Sequence, residues 1–161
     1  VKYAADTTVD VARTRAELER LVLSEGASRF TTSSDEDRGV AMVAFRLKDH
    51  SLLFELKLPK RDDPAFHVYK LGSVPKRREP AAAFKLWEQA CRAQWRALFL
   101  AVKAKLVSVA AGVETFEDAF LSAIVVNDSG KARRFGELAV KAIQESYVRG
   151  GPPQLMAGGP L

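Results

Sequence analysis

Residues 81–111, AAAFKLWEQACRAQWRALFLAVKAKLVSVAA, run for 31 positions without a glycine or a proline. Within them Phe84, Trp87, Cys91, Trp95, Leu98, Val102, Leu106 and Val109 recur at steps of three and four. At 100° per residue these positions fall on one stripe, the pattern of a helix packed against a core. At 1.5 Å of rise per residue the helix is about 47 Å long, enough to cross a whole domain. A rod of this length needs a second layer to cover its apolar stripe.

The segment before it has the character of that layer. Thr14 and Glu17 have the spacing of a capping box and predict a helix over 15–24, with Leu18, Leu21 and Val22 inward and Gly26 as its stop. Val9-Asp10-Val11 alternates and predicts a short strand ahead of it. Three further strands are expected at 29–33, 40–48 and 51–58, joined by the polar loop 34–39 and the turn Asp49-His50. In the last of them Leu52, Phe54, Leu56 and Leu58 alternate with Leu53, Glu55 and Lys57, as in a half-buried antiparallel strand. Residues 59–80, with four prolines and a glycine, read as a long basic loop. Pro80 suits the first turn of the central helix and Gly112 its end. Beyond it, Thr115 and Asp118 open a short helix, Ile124–Val126 read as a strand and 127–130 as a turn, and 134–149 form a last amphipathic helix. The expected fold is α+β: a two-layer sandwich in which a β-α-β-β-β antiparallel meander packs on one long central helix, with two smaller C-terminal helices.

At 161 residues one domain is expected over 1–150, followed by a flexible Pro/Gly-rich tail at 151–161. A single cysteine, Cys91, excludes an internal disulfide and sits on the apolar stripe. The most apolar run, Trp95 to Ala111, is broken by Arg96, Lys103 and Lys105 and is no membrane span. With no basic-then-apolar leader, the expected setting is cytoplasmic, away from membranes.

The candidate chemistries are few. Glu55-x-Lys57 on a strand has the form of the PD-(D/E)xK nuclease motif, in which an Asp and the Glu hold Mg²⁺ and the Lys helps activate water. Residues 40–48, the pairing strand, contain no carboxylate, and Asp49 lies about 20 Å along the chain from Glu55. A metal nuclease is therefore the remote alternative, and an outward polar pair is the ordinary reading. His50 and His67 have no Cys or His at zinc-ligand spacing. Asp35-Glu36-Asp37 lacks the placement of a calcium loop. There is no phosphate-binding glycine loop, no marked nucleophile and no cofactor motif. No catalytic residue and no metal ligand is assigned, and the protein is read as a non-enzyme.

The net charge of +5 leans towards an acidic partner. Lys85, Arg92, Arg96 and Lys103 form a basic ridge on the central helix. Lys60-Arg61 and Lys76-Arg77-Arg78 flank the loop before it, and Lys131, Arg133 and Arg134 follow. Phe66 and Tyr69, between the loop's basic clusters, are candidate base-stacking groups. The expected function is non-enzymatic nucleic-acid binding, with Lys60, Arg61, Lys76, Arg77, Arg78, Lys85, Arg92, Arg96 and Lys103 at phosphates. The alternative is a protein-interaction or self-assembly module. It rests on a third stripe of the helix, Ala90, Ala93, Ala97, Ala101, Ala104 and Ala111 with Ser108, whose small side chains permit close approach of a partner.

The segment Trp87–Val126, with Trp95-Arg96-Ala97-Leu98, Lys103-Ala104-Lys105-Leu106, Gly112, Thr115-Phe116-Glu117 and Phe120-Leu121, resembles a family of small uncharacterised proteins of actinobacterial and related genomes, often phage or prophage proteins. The resemblance runs from Val9 to Tyr147. It transfers no functional residue and implies a mobile-element setting, in which small basic proteins often handle DNA or bind host proteins.

Overall fold

The computed structural model describes residues 4–151, so the expected tail lies, Gly151 apart, outside the described residues. The fold is α+β, with 49% of the described residues helical and 28% in strands, and has a long central helix and antiparallel sheets. In chain order the elements are α1 (Val11–Ser24), β1 (Ser28–Asp35), β2 (Val40–Leu47), β3 (His50–Lys57), α2 (Pro64–His67), β4 (Val68–Leu71), β5 (Val74–Arg77), α3 (Pro80–Ala110), α4 (Phe116–Phe120), a 3-10 turn (Leu121–Ala123), β6 (Val125–Asp128), β7 (Lys131–Arg134) and α5 (Phe135–Arg149).

Strands β1, β2 and β3 form an antiparallel meander whose inner face carries Ala41, Val43, Phe45 and Leu47 from β2 and Leu52, Phe54 and Leu56 from β3. These meet Trp95, Phe99, Val102 and Leu106 of α3, with Leu18 and Val22 of α1 closing the side. Aromatic rings stitch the sheet to the C-terminal half. Phe30 stacks on Phe45, Phe45 on Phe54, and Phe54 meets Phe120 edge-on at 6.4 Å between centroids. Ile124 bridges Leu52 at the free side of β3 and leads into the β6–β7 hairpin. Gly136 at the start of α5 lies against Ser122, where an added Cβ would come within 2.8 Å of the Ser122 carbonyl, so only glycine allows that approach.

Two local expectations are corrected. Val9–Val11 do not form a strand. Asp10 takes an extended conformation and its Oδ1 accepts the Arg13 amide at 2.6 Å, so the three residues are the one before the cap, the N-cap and the first residue of α1. Starting there, α1 swallows Thr14, which is fully buried with no hydrogen-bond partner for its hydroxyl, and Glu17 is left free to pair with arginines instead of capping. The meander is therefore preceded by a helix alone.

The third departure is the segment 59–80. It is not an irregular loop. Asp63 Oδ1 accepts the Ala65 amide and caps α2, which begins at Pro64. The chain then forms a two-stranded ribbon, β4 with β5, around a Gly72-Ser73 turn in which Gly72 has φ of +64°. The ribbon is a separate sheet, and both of its outer edges are unpaired among the described residues. Prolines and exposure on both faces erase the hydropathy period that would announce such a ribbon.

Candidate nucleic-acid interface

The ribbon is the most exposed piece of regular structure in the described chain: all eight residues of β4 and β5 are solvent-exposed. The register pairs Val68 with Arg77, Tyr69 with Lys76, Lys70 with Pro75 and Leu71 with Val74. Pleat alternation then puts Val68, Lys70, Pro75 and Arg77 on one face and Tyr69, Leu71, Val74 and Lys76 on the other. From Pro64 to Arg78 the segment has four basic residues and no acidic one.

The base of this arm is anchored on the first turns of α3. Trp87 Nε1 donates to the Pro59 carbonyl at 2.9 Å. The Arg61 guanidinium lies 4.7 Å from the Phe84 ring centroid and 5.9 Å from that of Trp87. His67 Nε2 is 2.9 Å from the Arg61 carbonyl. The Arg78 amide donates to His67 O and its Nε to Phe66 O, while its guanidinium sits 5.0 Å from the Tyr69 ring. Gly39 holds the β1–β2 turn against the exit of β3, its carbonyl accepting the Leu58 amide at 2.8 Å. Arg61 and Arg78 therefore fasten the arm, whereas Lys60, Lys70, Lys76 and Arg77 are exposed and make no hydrogen bond or ion pair among the described residues.

The basic ridge of α3 has a different fate. Arg92 donates through Nε and Nη2 to Gln89 Oε1, and Gln89 Nε2 in turn donates to the carbonyls of Ala5 and Thr7. Arg96 pairs with Glu17 of α1 and lies over the Phe99 ring at 4.4 Å. The bond from Arg96, and next that from Arg13, hold the Glu17 carboxyl below the usual carboxylate range. The middle of the ridge thus ties the N-terminal segment and α1 to α3. Lys85 and Lys103, at its two ends, are exposed and separated by about 27 Å of helix. Only Lys85 lies at the arm's end of α3. The later basic cluster is also engaged: Arg134 meets Glu55 at 3.4 Å and Glu137 at 2.9 Å, and Arg133 lies 3.8 Å from Asp128.

Neither candidate stacking group is a bare platform. Phe66 is half-buried in α2, and Tyr69 has the Arg78 guanidinium over its ring. Lys70 is the residue that selection from sequence alone passed over. Its signal is the two-residue Gly72-Ser73 link between VYKL and VPKR, a hairpin signature that places Lys70 beside Pro75 and one pair away from Lys76.

The other candidate chemistries stay apart. Glu55 projects from the outer face of the sheet opposite Met42, with Arg134 as its ionic neighbour. Among the described residues no group of three His, Cys, Asp or Glu side chains is placed to hold a metal ion. His50 packs against Phe116, with Glu117 4.0 Å away. Cys91 is buried, and desolvation, aided by Glu36 and Glu88, pushes its thiol up to about 11. Among the described residues no helix is long and apolar enough to cross a membrane.

No family model matches the chain, and neither a curated protein nor a solved structure matches it.

Proposed function

We propose that this protein is a non-enzymatic nucleic-acid-binding protein that contacts phosphates through the β4–β5 arm, with Lys70, Lys76 and Arg77 on the ribbon and Lys60 and Lys85 at its base. The observation that supports this reading best is the arm itself: an exposed ribbon with cations on both strands and no carboxylate between Pro64 and Arg78. Surface cations usually alternate with acids, as they do on α5, where Lys141 and Arg149 flank Glu145. An acid-free projection concentrates positive potential where an anionic polymer has access. The DNA-handling setting implied by the phage-like resemblance belongs to the same proposal. Fluorescence anisotropy across a salt series is the test. Each phosphate contact contributes about 0.9 to the slope of log affinity against log salt on duplex DNA, so the K70A/K76A/R77A variant should flatten that slope by about two to three. Affinity that is indifferent to salt, or unchanged in the variant, would defeat the reading.

A second reading, a protein-interaction or self-assembly module, has its own support in the outer face of α3. Leu86, Ala90, Ala93, Ala97, Leu100, Ala104, Val107 and Ala111 follow alternating steps of four and three, the spacing of a coiled-coil seam, and include no charge; Leu100 packs against the core, while Leu86, Ala97, Ala104 and Val107 are exposed. Leu86 is 40% and Val107 58% exposed. Sedimentation over a range of protein concentrations tests it. A concentration-dependent dimer that V107E abolishes would support it, and a monomer throughout would remove self-association.

A further inference from the structure

Resting on the nucleic-acid reading above, we infer that the arm's ligand is B-form double-stranded DNA, taken in the major groove, rather than a single strand or an RNA duplex. The first ground is shape. Two hydrogen-bonded strands lie about 4.8 Å apart, and a two-stranded ribbon is one of the two protein elements that the roughly 12 Å wide major groove of B-DNA admits. The major groove of an A-form RNA helix is deep and narrow and does not admit it.

The second ground is the distribution of charge. Lys70 stands on β4, while Lys76 and Arg77 stand on β5, pointing to opposite faces. A ribbon seated in a groove has a phosphate wall beside each strand, and cations on both strands reach both walls. A binding track for one strand needs its cations along one side.

The third ground is the treatment of the aromatics. Sequence-tolerant single-strand binding relies on exposed rings on which bases stack. Here Tyr69 is only 38% exposed with a guanidinium over its ring, and Phe66 is half-buried. The outermost cross-strand pair is instead aliphatic: Leu71 and Val74, 58% and 59% exposed, flank the Gly72-Ser73 turn. Such a tip offers van der Waals contact to a groove floor, where the thymine methyl is the apolar group available.

The experiment compares, across one salt series, a two-turn DNA duplex, each of its separated strands and the RNA duplex of the same sequence. It uses the full chain, K70A/K76A/R77A, and L71A/V74A. The DNA duplex should bind roughly tenfold tighter than the strands or the RNA. The lysine–arginine variant should both weaken this binding and flatten its salt slope by about two to three. The tip variant should weaken duplex binding several-fold at an unchanged salt slope, because aliphatic contacts release no counterions. Strands or RNA bound as tightly as the DNA duplex would overturn the inference and leave the nucleic-acid reading standing. A tip variant that binds like the parent would overturn groove insertion. Absence of binding to all three probes would remove the underlying reading as well.

Discussion

Arg96 and Arg77 are the same residue type on the same chain, 19 positions apart, and the fold uses them in opposite ways. Arg96 is half-buried between α1 and α3, bonded to Glu17 and laid over Phe99. Arg77 stands on an exposed ribbon with no partner among the described residues. The surroundings differ as much as the residues agree. The α3–sheet unit has a continuous core from Leu18 to Ile124, whereas the ribbon's strands have no buried residue and are held by the arm's base. Arg96 is a fastener because a carboxylate and a ring lie beside it; Arg77 has neither among the described residues and stays exposed to solvent.

The comparison is broken most sharply at the core. Trp95 is buried to 2% exposure between sheet and helix, so Trp95→Ala should cost about 3–5 kcal/mol and lower the urea midpoint more than any change on the arm. Next in size is Arg96→Ala, which should also lower the midpoint while leaving the salt slope of the proposed nucleic-acid binding as it was. The pair predicts an acid response of definite sign. Glu17 has a folded pKa below its unfolded value, so its contribution is present above the ordinary carboxylate range and is lost as pH falls through the folded pKa. Urea titrations from neutral pH to below about 4 should show part of the parent's acid destabilisation missing in Arg96→Ala.

Cys91 sharpens the contrast by reactivity. Its thiol, raised from 9.0 to about 11, should resist an aromatic disulfide reagent at neutral pH and react fully in denaturant. Because the folded state holds that proton more tightly, stability should decline as pH rises from 9 towards 11, and Cys91→Ala should lack this decline. The smallest expected effect is on the arm: K70A/K76A/R77A should keep the parent melting transition to within about 0.5 kcal/mol. A large loss there would show that the arm's cations are fasteners after all.

Legibility in the sequence follows the same division. The central helix could be read almost to the residue, since Trp95, Val102 and Leu106 repeat against a single core and Pro80 and Gly112 punctuate its ends. The meander was equally plain in the alternation of β3. Val9–Val11 misled because three residues cannot separate a strand from a cap, and the deciding bond, Asp10 to the Arg13 amide, is a matter of side-chain geometry. The ribbon was hidden because exposure on both faces leaves no period to detect. The basic spacing on α3 was visible but its use was not: Glu17 lies 79 residues from Arg96, and no local pattern announces such a partner. Lys70, beside Pro75, entered only with the ribbon's register.

The ribbon's unpaired outer edges have a consequence for how concentrated this protein can become. An open strand is a template on which further strands can add, copy upon copy. Here the strands stop after four residues, Pro75 offers no amide, and Lys70, Lys76 and Arg77 repel a like neighbour. The cations proposed to meet phosphates thus also oppose fibre growth. Neutral variants of the arm should therefore be handled dilute.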